Sequence, residues 1–235
     1  MWLLTGANHT HARSLLQCLT SFLEHASHHP VRVYDLGLTP EQRVAVDRLG
    51  ARFHFFQCRT WSHASCPQFF NINVAAGHYA WKPYLIHAAL EELQDTVLWL
   101  DAGCCLTGPL DPIEAELRTY GVYSPCSLGR ISTWTHPATL AALQCSPAVA
   151  QRYPNRSGGV LGCHYDHPAA RRLLQRWRDR CSFRDIIAPA GSTRDNHRQD
   201  QAVLSVLWAQ AVERGELSPQ ASRKLLNLSL QNDID

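Results

Sequence analysis

Short apolar runs alternate with amphipathic stretches along the whole chain, and that alternation restricts it to very few architectures. Trp2-Leu3-Leu4 is apolar throughout and predicts a strand buried on both faces. Leu15, Leu19, Phe22 and Leu23 then recur at helical spacing. Residues 31–36 predict a second strand, and Thr39-Pro40-Glu41-Gln42 opens a helix with a capping box and a proline in its first turn. Gly50 closes that helix, and residues 52–57 predict a third strand. Residues 58–77 are aromatic and polar without a period, a long loop of the kind that usually carries function.

Pro83 starts a helix whose Ile86, Ala89, Leu90 and Leu93 form one stripe, and residues 96–100 read as a central strand. Asp111-Pro112-Ile113-Glu114 looks like a second capping box, before a strand over residues 121–124. A short helix follows Pro137, and Ser157-Gly158-Gly159 leads into a strand ending at Cys163. A helix from Pro168 to Cys181 turns Leu173, Leu174, Trp177 and Cys181 inward. The last helix, residues 199–214, does the same with Val203, Val206, Leu207 and Ala211 and stops at Gly215. Repeating βα units predict an α/β fold, a mixed and mostly parallel sheet flanked by helices.

With 235 residues, 45% of them hydrophobic, the chain can bury a sizeable core, and no linker or repeat divides it, so residues 1–235 read as one domain. Its 22 basic and 20 acidic residues are interspersed, which argues against a nucleic-acid partner. Arg171, Arg172, Arg176, Arg178 and Arg180 share one predicted helix and read as a solvated face. The nine cysteines form no C-x-x-C pair or zinc spacing and read as reduced thiols. His9, His11, His28 and His29 sit at predicted element ends and read as exposed. Neither a signal peptide nor a membrane span is evident, so the expected setting is cytoplasmic. The alternative is a Golgi or secretory lumen if an anchor has been removed, to which the sequons at Asn8, Asn155 and Asn227 point.

Ligands of open α/β sheets bind beyond the carboxyl ends of the strands. That rule selects Thr5-Gly6-Ala7-Asn8, Asp35, and Asp101-Ala102-Gly103. Neither a G-x-G-x-x-G fingerprint nor a P-loop is present, which weakens dinucleotide and P-loop chemistry. A carboxylate ending a buried strand beside small residues can hold a hard cation against a diphosphate, or can simply cap its turn; Asp101 fits both readings.

Val33-Tyr34-Asp35-Leu36-Gly37-Leu38, Tyr79-Ala80-Trp81-Lys82-Pro83 and Val97-Leu98-Trp99-Leu100-Asp101 occur here in order, followed by Thr135-His136 and Asp200-Gln201. In these segments the chain resembles, over residues 1–210, a glycosyltransferase-like family of animals, algae and bacteria. More distantly it is similar to the glycosyltransferase-A superfamily, including the glycogenin and bacterial galactosyltransferase group. The resemblance implies a nucleotide-sugar donor, UDP-linked, a glycan or glycoconjugate acceptor, and a D-x-D motif binding manganese or magnesium. Here Gly103 replaces the second aspartate, so either His136, His197 or another side chain completes a metal site with Asp101, or a cation such as Lys82 replaces the metal.

The resemblance further places Thr5, Gly6, Ala7, Asn8 and Asp35 near the nucleoside. Tyr79, Trp81 and Lys82 would adjoin the phosphates, with Gly158 and Gly159 giving close approach to the sugar. Asp101 would meet metal or sugar hydroxyls, and Asp200 with Gln201 would act at the sugar carbon, as base for inversion or stabiliser for retention. Asp195 and His197 belong to the same cluster, and Trp61, His63, Phe69 and Phe70 either stack on an acceptor or plug the core edge. The opposing readings are a catalytically silent relative that binds a glycan or protein partner, supported by the missing second aspartate, and a zinc or redox protein.

Overall fold

The computed structural model describes residues 1–222 and 224–235. A six-stranded sheet runs through the molecule in the order Phe56–Thr60, Val31–Asp35, Trp2–Ala7, Val97–Leu100, Val160–Cys163, Val122–Tyr123. The first four strands in that order are mutually parallel, and Val160–Cys163 is antiparallel to both its neighbours. Strand order reverses between Trp2–Ala7 and Val97–Leu100, which makes the crevice at their carboxyl ends the switch point where ligands of such sheets bind. Two short ribbons lie outside the sheet, Leu228–Ser229 with Cys105–Leu106 and Cys126–Arg130 with Pro154–Arg156.

Alternation along the strands builds two cores, one on each face. Leu3, Val31, Val33, Leu98 and Leu100 pack with Leu15, Leu19 and Phe22 of the helix Ala12–Ala26. Leu4, Tyr34, Val97, Trp99 and Leu161 face the helices Trp81–Leu93, Pro168–Cys181 and Gln199–Glu213. Trp99 and Trp177 are fully enclosed, and burying one large apolar side chain contributes roughly 1.5–3 kcal/mol.

Local patterns were reliable where an element carries its own signals. The helix Pro168–Cys181 has the predicted bounds, and Thr39 and Gln42 form the capping box of Pro40–Gly50. The capping box expected at Asp111 is absent: Leu110 is the N-cap, no side chain bonds there, and Asp111 lies inside the first turn. Gly121, at φ +76, ends that helix in the left-handed region, which shortens the following strand to Val122–Tyr123. The third strand is shifted to Phe56–Thr60, because pairing with Val31–Asp35 sets its register while Phe53 tucks inward.

The first strand continues to Ala7, so Thr5 and Gly6 lie within the ladder, opposite Val33 and Tyr34, instead of in a loop after it. A Cβ on Gly6 would stand 2.8 Å from the Tyr34 carbonyl oxygen, so close strand packing, not a turn, requires that glycine. His29 is buried, its ring 4.1 Å from that of His28 and 3.4 Å from Glu114, contrary to the expected exposure. All nine cysteines are free thiols, four of them buried. Among the described residues no helix is long and apolar enough to cross a membrane.

Candidate active site

Asp101 emerges from the end of Val97–Leu100, its N–H still donating to the Gly159 carbonyl at 2.8 Å. Residues two apart on a strand share a face, so the Trp99 indole lies beside Asp101 and donates Nε1–H to its Oδ1 at 2.6 Å. Lys82, in the first turn of Trp81–Leu93, extends into the same space. Its Nζ lies 2.9 Å from Asp101 Oδ1, 3.0 Å from Asp101 Oδ2 and 3.2 Å from the Gly158 carbonyl. Asp200, in the first turn of Gln199–Glu213, closes the group from the other side, its Oδ2 3.4 Å from Nζ. That oxygen accepts no hydrogen bond, so the Lys82–Asp200 contact is an ion pair. The Trp177 indole holds the Asp200 backbone carbonyl at 2.8 Å.

Lys82 is 3% exposed and Asp200 4%, whereas the Asp101 side chain is 38% exposed. Burial works against the Lys82 charge, but Asp101 and Asp200 more than offset it and hold the ammonium's pKa above its ordinary value. Burial also dominates at Asp200, with Asp101 adding to it and Lys82 opposing, and raises its carboxyl to about 6. In this structure Lys82 clamps two carboxylates together.

No protein-family model matches the chain, and no curated protein matches it in sequence. Solved structures do. An active-site mutant of LgtC superposes with TM-score 0.58 at 17% identity, covering 88% of this chain and 70% of that one. The galactosyltransferase LgtC in complex with donor and acceptor sugar analogues gives 0.54 at 15% identity, over 98% and 86% of the two chains. Mouse xyloside xylosyltransferase 1 gives 0.52 at 14% identity, over 91% and 82%. The chain has the glycosyltransferase-A fold.

Within this glycosyltransferase-A fold, Asp101, Lys82, Asp200, Gly158 and Gly159 meet at one place, and the other expected residues surround it unevenly. Tyr79 and Trp81 put ring centroids 5.4 and 6.0 Å from Lys82 Nζ. The glycines give close approach to the chain's own atoms. A Cβ on Gly158 would lie 2.8 Å from Gln201 Cβ, and one on Gly159 would lie 3.1 Å from Asp101 Oδ2. Gln201 thus borders the group through its backbone helix. Asp195 is exposed on the loop before it. Thr5 is buried beside the Cys18 thiol, Ala7 is buried, and Asn8 accepts from Thr10 at 2.8 Å.

Asp35 behaves as a turn carboxylate. Its Oδ1 accepts from the Gly37 and Leu38 N–H groups at 2.9 and 2.8 Å, and its Oδ2 from Arg43 at 3.3 Å. Of the two histidines proposed as metal ligands beside Asp101, His197 has both ring nitrogens engaged by the chain itself. His197 is buried, its Nδ1 accepting from the His136 N–H at 3.2 Å and its Nε2 donating to the Ile187 carbonyl at 2.8 Å. His136 turns its own Nδ1 to the Ala138 N–H. Among the described residues no three His, Cys, Asp or Glu side chains are grouped to hold a metal ion.

The long loop ends in a left-handed turn one residue before Trp81. Ala75, Ala76, Gly77, His78 and Tyr79 have φ between 48 and 60°, a conformation that costs about 1–2 kcal/mol at each non-glycine residue. Gly77 is required there, since a Cβ would meet the Phe70 carbonyl at 2.5 Å. Gln199, just before Asp200, is also left-handed at φ 41°. Strain of this kind persists where the surroundings over-determine the backbone, and here it flanks both Lys82 and Asp200. Of the loop aromatics, Phe70 is core, while Trp61 leans on Trp81 with centroids 6.5 Å apart and stays partly open.

Sequence reasoning placed Trp99 in the segment that ends at Asp101 but gave it no role, although its spacing of two from Asp101 was a usable signal. It also missed Asp233, whose three carboxyl atoms stand 2.6–2.8 Å from where a Cβ on Gly103 would be. Nothing local in the sequence announces that contact.

Proposed function

We propose that this chain is a glycosyltransferase that moves a sugar from a nucleotide-sugar donor, UDP-linked, to a hydroxyl of a glycan or glycoconjugate. The observation that carries the reading is the Lys82 ammonium held between Asp101 and Asp200 beside the sheet's switch point. In transfer, an acceptor oxygen forms a bond to the anomeric carbon as the bond to the diphosphate breaks. Asp101, open on one side and fixed on the other by Trp99 and Lys82, is suited to accept hydrogen bonds from sugar hydroxyls. Asp200 is a buried carboxyl raised to about 6. That value suits a base that takes the acceptor proton in an inverting transfer, and an ionised Asp200 suits a stabiliser of positive charge at the anomeric carbon in a retaining one.

Lys82 keeps the pair of carboxylates from repelling each other and aligns both. Of the expected manganese or magnesium ligands only Asp101 borders this group, and no step is assigned to a metal. The free thiols support a reducing, cytoplasmic setting.

A thermal-shift screen of nucleoside diphosphates and nucleotide sugars, run with Mn²⁺ and with chelator, tests the reading. At a hundredfold excess over Kd a bound ligand adds about 2.7 kcal/mol, which for a chain of this size is a rise of roughly 5–10 °C in Tm. A rise with one uridine-linked donor and none with other nucleotides is the expected result. No rise with any of them would favour the silent relative.

A further inference from the structure

Residues 232–235 cross the mouth of the crevice between Trp2–Ala7 and Val97–Leu100. The ribbon of Leu228–Ser229 with Cys105–Leu106 delivers the chain there. Asn232 then donates its N–H to the Gly103 carbonyl at 2.8 Å, and its Nδ2 lies 3.4 Å from the same oxygen. The Asp233 carboxylate fills the space that a side chain on Gly103 would take. Ile234 donates its N–H to Ser14 Oγ at 3.0 Å. Asp235 completes the crossing: its Oδ1 accepts from the Arg13 N–H at 2.8 Å, and its Oδ2 from the Ser14 N–H at 3.0 Å and Ser14 Oγ at 2.5 Å.

Arg13 and Ser14 begin the helix Ala12–Ala26, whose first N–H groups lack partners within the helix and present its positive end. The N-cap residue His11 makes no side-chain cap bond, and Asp235 does so from 222 residues away. Two carboxylates thus sit along the crevice, one beside Gly103 at the end of the central strand, the other on the helix that follows the first strand. These are the positions from which an anion bound at the switch point would have to draw its hydrogen bonds.

We propose that residues 232–235 are an autoinhibitory strap, an internal anion that a nucleoside diphosphate must lift from the crevice to bind. The proposal rests on the donor reading above. Its test uses the full wild-type chain and the double variant Asp233→Asn/Asp235→Asn, which removes both charges and leaves an amide oxygen to accept. Calorimetric titration with uridine diphosphate and with inorganic diphosphate gives affinities, and hydrogen exchange of wild-type peptides covering 228–235 follows the strap itself.

Binding at least tenfold tighter in the double variant, with at least tenfold faster exchange of the strap in wild type at saturating uridine diphosphate, is the expected result. Equal affinity in the two chains, or strap exchange that is unchanged or slowed by ligand, overturns the strap and leaves the donor reading standing. Absence of binding to either chain overturns both.

Discussion

Lys82 Nζ lies 2.9 Å from Asp101 Oδ1 although the lysine is 3% exposed, so this chain keeps a full positive charge in its interior against a carboxylate that is still open to solvent. Buried ions are tolerated only when paired and hydrogen-bonded, and removing one partner strands the others.

Lys82→Met keeps the volume and deletes the charge. It leaves Asp200 buried with no counter-ion, so denaturant unfolding should show a loss of about 3–5 kcal/mol. A loss under 1 kcal/mol would mean that the ion pair contributes little to the native state.

Asp200→Asn has the opposite signature. Burial raises the folded Asp200 pKa from the ordinary 3.8 to about 6, so between those values the native chain holds a proton that the unfolded chain has released. Asp200 therefore lowers stability progressively as pH rises from about 4 to 6. The stability of Asp200→Asn relative to wild type should rise across that window and then level off, while sugar transfer drops at least about a hundredfold. Parallel pH–stability curves for the two proteins would contradict the burial assignment.

His197 should leave its own mark on acid stability. Burial, more than the neighbouring His136, holds its pKa below the ordinary 6.5, while the bond to the Ile187 carbonyl opposes the shift. Between the lowered folded value and 6.5 the unfolded chain binds more protons, so this contribution is complete above 6.5 and is lost as pH falls through that window. In His197→Phe the acid-side slope of stability should flatten; an unchanged slope would remove His197 from the account.

Two glycine-to-alanine changes should separate rigid from movable neighbours. On Gly6 the new methyl meets a backbone carbonyl inside the sheet, 2.8 Å away, and should cost about 1–3 kcal/mol. On Gly103 its nearest neighbours are the end of Asp233, an exposed side chain. Gly103→Ala should therefore keep its Tm within a few degrees while exchange over 228–235 quickens. Equal destabilisation by both changes would show that the strap is as rigid as the sheet.

Read alone, the sequence determined the strands of the main sheet and the longer helices, the buried stripe of Pro168–Cys181, the capping box at Thr39 and the placement of Asp101 at a strand end. Those features depend on periodicity and on contacts three or four residues apart, which a single chain displays directly. The reversal of Val160–Cys163, the closure of Lys82 between Asp101 and Asp200, and the seating of Asp235 on Arg13 and Ser14 were decided by the tertiary structure. Each joins segments far apart in sequence, and none leaves a local pattern. Gly6 and Gly103 show the physical limit: a missing side chain reads as a turn in sequence, and only packing reveals that a carbonyl or a distant carboxylate needs the space.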